Sequence, residues 1–394
     1  MCGSEELVSF LDLGAQPPAD RFLKSKNETE QRFPLIVKSC QSCGLVQLGH
    51  VVSPEILYCQ DYPYDASTAA TAQNHWKEFA DSIECKKGSL VVDIGSNVGV
   101  LLQAFKDNGA KVLGVDPAAN ITKIANTNGI ETITGFFNEA IAESIVRQKG
   151  QAAIITGTNV FAHIDDLDAL MKAVDILLEP EGSFIFEVPY LVNLIQKFQY
   201  DTIYHEHLSY ISIKPLVQFF RKFNMEIYEI KEQDFHGGSI RVFVRRKFAS
   251  KYTINFIYLL KREEVAGIYD LEKLQDFSKD VQQNRRALKD LILGLKKQGK
   301  KIVVVSAPAK GMTLLNFCNL DDTVISFATE KAKLKIGKFT PGTLIPVVPD
   351  SFLWDAAPDY ALLLAWNFAD EIIKNNTRFK GRYIIPIPTP RIVN

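Results

Sequence analysis

The sequence predicts an α/β protein centred on a parallel β-sheet, covered by helices and closed by an antiparallel hairpin. A small N-terminal module and a second α/β unit flank it. Three observations predict this. Strand-like and helix-like runs alternate with short turns over residues 87–247, as in a parallel sheet with helices on both faces. A β-branched run ends in Asp93, turns through Gly95 and Gly99, and continues as an amphipathic stretch (LVVDIGSNVGVLLQ, residues 90–103). The last two apolar runs, 225–230 and 239–244, are joined by a loop short enough for an antiparallel pair.

At 394 residues the chain is expected to hold two or three domains. Its composition is 46% hydrophobic and 23% charged, with a net charge of −1. Near-neutrality gives no support to a nucleic-acid partner. No apolar run reaches the roughly 18–20 residues needed to span a bilayer, and the opening MCGSEE is no signal peptide. Six cysteines without a dense framework suit a reducing cytoplasm, the expected location. The oligomeric state is not legible.

Residues 1–65 read as a loop-rich module. VKSCQSCGLVQL (37–48) is a strand, a C-x-x-C-G knuckle and a strand. That spacing aims the Cys40 and Cys43 thiolates at one point, half of a tetrahedral zinc site. The other half should be a second such pair, and the sequence offers only Cys2 toward it. A truncated start, a three-cysteine module, a metal-free module and two incidental buried cysteines all remain open. The polar, aromatic segment DYPYDAST (61–68) then links to a helix over about 70–84.

Residues 66–250 form the predicted central domain. Asn97 and Val100 stand where the dinucleotide fingerprint G-x-G-x-x-G has its second and third glycines, which argues against NAD. The pattern D-x-G-x-x-x-G instead looks like motif I of class I S-adenosylmethionine (SAM) methyltransferases. A second strand, KVLGVD (111–116), ends in Asp116 at the same sheet edge, placed to accept both ribose hydroxyls of a nucleoside. Further strands are expected near 131–135, ahead of Phe137, at 152–159, ending in Asn159, and at 183–190, ending in Tyr190. A helix over 165–178 should stop at EPEG (179–182). Residues 251–299 read as a polar helical connector. Residues 300–394 read as a small α/β domain, opening with KIVVVSAPAKGMTLLN (301–316) and with strands near 323–327 and 359–364.

The stretch able to do chemistry is DTIYHEHLSY (201–210). Histidine titrates near neutrality, and a neighbouring carboxylate can orient its ring, so a histidine of this stretch, His205 or His207, beside Glu206 suits proton removal. A metal pair and a polar loop cap are the alternatives. HGGS (236–239) is a hairpin turn carrying one imidazole.

Together these motifs resemble sugar C-methyltransferases acting on nucleotide-linked deoxysugars. The resemblance runs over nearly the whole chain: FLDLG (10–14), ADRF (19–22), the cysteine knuckle, YPY (62–64), DIGSNVG (93–99), N-x-x-x-H-I (159–164), E-x-P-Y (187–190), Y-x-E-H (204–207), H-G-G-S-x-R (236–241), APAKG (307–311), FTPGTLIP (339–346) and LAWN (364–367). It implies an N-terminal zinc-binding module, a central SAM domain and a C-terminal domain that helps hold a nucleotide-sugar. His207 would be the general base, with Glu206, Tyr204 and His163 facing the same pocket. Asp93, Gly95, Asn97, Gly99, Asp116, Phe137, Asn159 and Tyr64 would surround SAM. Lys310, His236, Tyr190 and Asn316 would contact substrate, and Cys2, Cys40 and Cys43 would hold zinc. Val305-Ser306-Ala307 departs from the glycine-bearing Y-G-A of such proteins. Competing readings are O- or N-methylation of a related sugar, a non-catalytic nucleotide-sugar-binding protein and, more distantly, a dehydrogenase.

Overall fold

The computed structural model describes residues 1–59, 62–64, 66–67, 70–235, 237–247 and 253–394. In the N-terminal module, β1 (Leu7–Gln16), β2 (Phe33–Cys40) and β3 (Val46–Leu48) pair antiparallel in sequence order. The knuckle between β2 and β3 turns at Gly44, whose φ is 82° and where a Cβ would meet the Tyr269 ring at 2.4 Å. Glycine answers both the left-handed backbone and the close approach.

The central sheet follows. β4 (Leu90–Ile94), β5 (Lys111–Asp116), β6 (Thr132–Thr134), β7 (Ala152–Thr158) and β8 (Leu178–Pro189) run parallel. All five residues of β4 are buried, as a strand covered on both faces requires. Helices Val100–Asp107 and Leu167–Leu177 cover it with Leu101, Leu102 and Phe105, and with Leu170, Met171 and Val174. After a short strand β9 (Ser209–Tyr210), the hairpin β10 (Met225–Gln233) and β11 (Ser239–Arg246) completes the sheet. Its order is β6-β5-β4-β7-β8-β11-β10, with β11 antiparallel to β8. This is the predicted arrangement of five parallel strands and a terminal hairpin.

Strand β9 does something the sequence does not announce. It pairs with β3, Tyr210 opposite Val46, and so closes the N-terminal sheet from within the central domain. Two residues are too few for a periodic signal. Their partner lies far back in the chain.

Three expectations need correcting. The helix expected over 165–178 ends at Leu177, and EPEG falls inside β8 rather than before it. The supposed connector consists of helices Ile254–Ala266 and Leu271–Lys297. The second buries Leu274, Phe277, Val281, Leu288 and Ile292 and packs on β1 and on helix Ala309–Cys318, so it is a buttress. Burial of each such side chain contributes about 1.5–3 kcal/mol. In the C-terminal domain the strand expected near 323–327 lies at 328–330. That domain's strands are β12 (Ile302–Val305), β13 (Ala328–Glu330), β14 (Val347–Pro349), β15 (Tyr360–Leu363), β16 (Arg382–Ile385) and β17 (Arg391–Val393). They are ordered β14-β13-β12-β15-β16-β17, all parallel except β17. Among the described residues no helix is long and apolar enough to cross a membrane.

Candidate active site

The C-terminal edge of the central sheet carries the glycine loop. Gly95 has φ 66°, and a Cβ there would meet Val160 Cγ2 at 2.3 Å; Gly99 has φ 83° and would meet Ile130 at 2.7 Å. Asn97, between them, also has positive φ (50°), a conformation asparagine tolerates better than most residues. Its backbone N–H donates to Asp116 Oδ2 at 3.0 Å, while Ala118 N–H donates to Asp116 Oδ1 at 2.9 Å. The Asp116 carboxylate therefore ties the two strand ends together. Burial pushes it above its ordinary value, opposed by those two amides. Asp93 is buried and accepts the Thr156 hydroxyl at 2.6 Å. Burial pushes its carboxyl up to about 7; the Thr156 bond opposes this and the Asp116 charge adds to it.

The Asn97 side chain reaches the linker, its Nδ2 donating to the Tyr64 carbonyl at 3.1 Å and its Oδ1 accepting from Ala66 N–H at 2.9 Å. Tyr64 itself is exposed. Phe137 is half-buried just beyond β6. Asn159, at φ 56°, has a buried Oδ1 without a hydrogen-bond partner among the described residues. A pocket with a glycine-cleared floor, an acid at the second strand end and an orphaned amide oxygen fits SAM: Asp116 and Asn159 offer acceptors, and Gly95 offers close backbone approach.

Beside this pocket the 201–210 stretch folds inward. His207 is nearly buried, and its Nδ1 donates to the Thr202 carbonyl at 2.7 Å. That bond selects the tautomer whose Nε2 carries the lone pair. Tyr204 and His163 both lie against the His207 ring, with centroids 4.1 Å and 4.9 Å from it. Burial, and then His207, hold the His163 imidazole well below its usual range, so it stays neutral. Among the described residues its Nε2 is buried without a hydrogen-bond partner, as is the hydroxyl of Tyr58, whose ring stacks on His163. The expectation that Glu206 orients the His207 ring fails: a backbone carbonyl does so. Adjacent side chains diverge, and Glu206 accepts the Tyr62 hydroxyl at 3.0 Å instead. Burial, followed by the charge of Asp20, pushes the Glu206 carboxyl up to about 8. His205 points elsewhere, its Nε2 3.2 Å from the Phe33 carbonyl on the N-terminal sheet.

Lys310, on the helix after β12, sits 4.7 Å over the Trp366 ring, 4.0 Å from Asp201 Oδ2, and donates to Asn367. Trp366 Nε1 also donates to Asp201, which is fully buried. Two sequence-predicted substrate residues have other polar work. The Tyr190 hydroxyl donates to buried Glu263 at 2.9 Å, although Tyr190 borders a small cavity shared with Thr202 and His207. Asn316 donates to the carbonyls of Met312 and Pro341. His236 lies outside the described residues.

Sequence reasoning did not single out Asp20, Tyr58, Lys335 or Asp201, which the structure brings near the candidate residues. Asp20 and Asp201 sit within quoted motifs, and an acid in an apolar setting was their one available signal. Tyr58 and Lys335 carry no local signal.

In the N-terminal module, the thiols of Cys2, Cys40 and Cys43 lie within 4.8 Å of one another, Cys2 and Cys40 at 3.6 Å. Two thiolates on one tetrahedral zinc stand about 3.8 Å apart, given Zn–S of about 2.3 Å. The three cysteines therefore fit three corners of a zinc site. No fourth histidine, cysteine or carboxylate joins them among the described residues.

Family models match three successive stretches: "Putative zinc binding domain" over residues 1–58, "Methyltransferase domain" over 69–230 and "C-methyltransferase C-terminal domain" over 234–388. With the sheet order and the glycine loop, they define a SAM-dependent methyltransferase. The C-methyltransferase NovU of Streptomyces niveus is 36% identical over the whole of this chain and 96% of that protein. The chain belongs to the same family of C-methyltransferases. A ubiquinone biosynthesis O-methyltransferase of Bordetella avium (strain 197N) is 31% identical, covering 28% of this chain and 45% of that one. Among solved structures, magnesium protoporphyrin IX methyltransferase (ChlM) from Synechocystis PCC 6803 with bound SAM aligns with TM-score 0.34 and 13% identity, covering 45% of this chain and 79% of that one.

Proposed function

We propose that this C-methyltransferase acts on a nucleotide-linked deoxy-ketosugar, and that His207 removes the proton from the carbon beside the ketone. The observation that carries this reading is the His207 Nδ1 bond to the Thr202 carbonyl, because it leaves Nε2 as the basic nitrogen in a buried pocket. The C–H electron pair moves toward the ketone oxygen, which gains charge. Neutral donors nearby (the Glu206 acid, the Tyr204 hydroxyl and neutral His163) suit an oxygen gaining charge in a site that excludes water. Bound SAM supplies the electrophilic methyl group that the carbon takes. Lys310, after β12, gathered with Trp366 and Asn367, after β15, supports recognition of the nucleotide diphosphate, since an ammonium that stands 4.0 Å from Asp201 can also take a second anion. By family resemblance His236 is a further substrate contact.

The test is solvent exchange. A nucleotide-linked 4-keto-6-deoxysugar in deuterated buffer, with enzyme and without SAM, should take up deuterium beside the ketone, and His207→Ala should abolish this. Wild-type rates of exchange in the His207→Ala protein would remove His207 as base.

A further inference from the structure

Between the three parts of the chain lies a buried polar cluster whose two oppositely charged members, Asp20 and Lys335, the methyl-transfer reading leaves unused. Asp20, from the N-terminal module, and Lys335, from the C-terminal domain, are 8% and 5% exposed, and Lys335 Nζ stands 3.0 Å from Asp20 Oδ1. The approach lies outside hydrogen-bonding angles, so the pair is ionic. Lys335 is fixed further by donating to the Ala307 carbonyl at 3.0 Å and by sitting 4.8 Å over the Phe22 ring. Glu206 enters the same cluster from the central domain. Its polar contact is the Tyr62 hydroxyl, and among the described residues no cation pairs with it. The groups facing Glu206 are Tyr62, Asp20, Lys335, Tyr58 and Tyr204.

We infer that Asp20 is a positioning residue: by holding the one buried ammonium of the cluster, Lys335, it keeps Glu206 in its proton-bearing form, ready to donate a hydrogen bond. This rests on the reading that Glu206 belongs to the substrate site. The argument is a charge count. One buried ammonium neutralises one buried carboxylate, and contact distance assigns it to Asp20. A second carboxylate in the same enclosed space would be uncompensated, which a low-dielectric site disfavours strongly. The proton therefore stays on Glu206, consistent with a carboxyl pushed up to about 8.

The logic makes opposite predictions for the two partners. Asp20→Asn leaves the Lys335 charge uncompensated, so Glu206 should ionise more easily, with proton affinity lowered at least about tenfold. Lys335→Met should raise it by a similar factor. Lys335→Arg should keep it near wild type.

The experiment is a carbon-13 NMR titration of full-length protein labelled at the glutamate carboxyls. The Glu206 signal is assigned by its loss in Glu206→Gln, and thermal melts check folding. Downward displacement in Asp20→Asn supports the inference. A Glu206 that titrates in the ordinary carboxylate range in wild type overturns it, as does one unmoved by Asp20→Asn. Should Lys335→Met not fold, Asp20→Asn and Lys335→Arg still decide. No substrate enters the measurement, so failure here is separable from failure of the ketosugar reading, which solvent exchange tests.

Discussion

Asn97 and Tyr64 are joined across 33 positions by a hydrogen bond from the Asn97 side-chain amide to the Tyr64 carbonyl, 3.1 Å long. The residue that replaces the second fingerprint glycine thus has its own task, since it pins the linker to the cofactor loop while holding φ at 50°. Asn97→Gly keeps the backbone conformation accessible and removes both linker bonds. At about 0.5–1.5 kcal/mol per bond, SAM affinity should fall about 5- to 150-fold, read by calorimetry. Unchanged affinity would show that the linker does not close over the cofactor.

Asp116 is the second cofactor test. We propose that it accepts the ribose hydroxyls; it already anchors the amides of Asn97 and Ala118. Asp116→Ala should weaken SAM binding by about 1.5–3 kcal/mol, the range for hydrogen bonds to a charged group. A melt on the same variant separates loss of the loop anchor from loss of the cofactor contact.

How much of this was legible in the sequence depends on range. The glycine loop, the two acidic strand ends and the C-x-x-C-G knuckle are local patterns imposed by backbone geometry, so spacing reveals them. Strand β9 was not legible because two residues have no period. The Asp20–Lys335 pair was not legible because a buried ion pair between distant positions leaves no trace near either partner. Glu206 stands out in the sequence as a candidate, yet its direction does not. Adjacency in sequence suggested that it serves His207, whereas diverging side chains send it to Tyr62. The resemblance supplied the site's membership; its internal bonding required the fold.

Stability should follow pH with a sign set by Glu206. Its carboxyl is raised in the folded chain, so the folded state holds that proton more tightly than the unfolded state does. The contribution is fully present below the ordinary carboxylate range and is lost as pH rises toward about 8. The slope approaches about 1.4 kcal/mol per pH unit inside that window. Glu206→Gln, which cannot ionise, should therefore melt higher than wild type at pH 9 and gain less at pH 5. Parallel melting curves for the two proteins across that range would contradict the assignment.

Zinc should be held by the Cys2, Cys40 and Cys43 thiolates, less tightly than by four. Purified protein should lose it to a chelator, and Cys43→Ser should reduce metal content below wild type, both read by metal analysis. One full equivalent resisting chelator would show that a further ligand completes the site.

The central claim is carbon methylation of a nucleotide-linked ketosugar with His207 as base. The most direct measurement incubates the enzyme with SAM and a nucleotide-linked 4-keto-6-deoxysugar, then reads the product by mass spectrometry and proton–carbon correlation NMR. The account predicts the gain of one methyl group, bonded to a ring carbon beside the ketone. It also predicts that His207→Ala loses turnover by about 10²–10⁴-fold while still binding SAM. A methyl found on oxygen or nitrogen, or full turnover in His207→Ala, would contradict it.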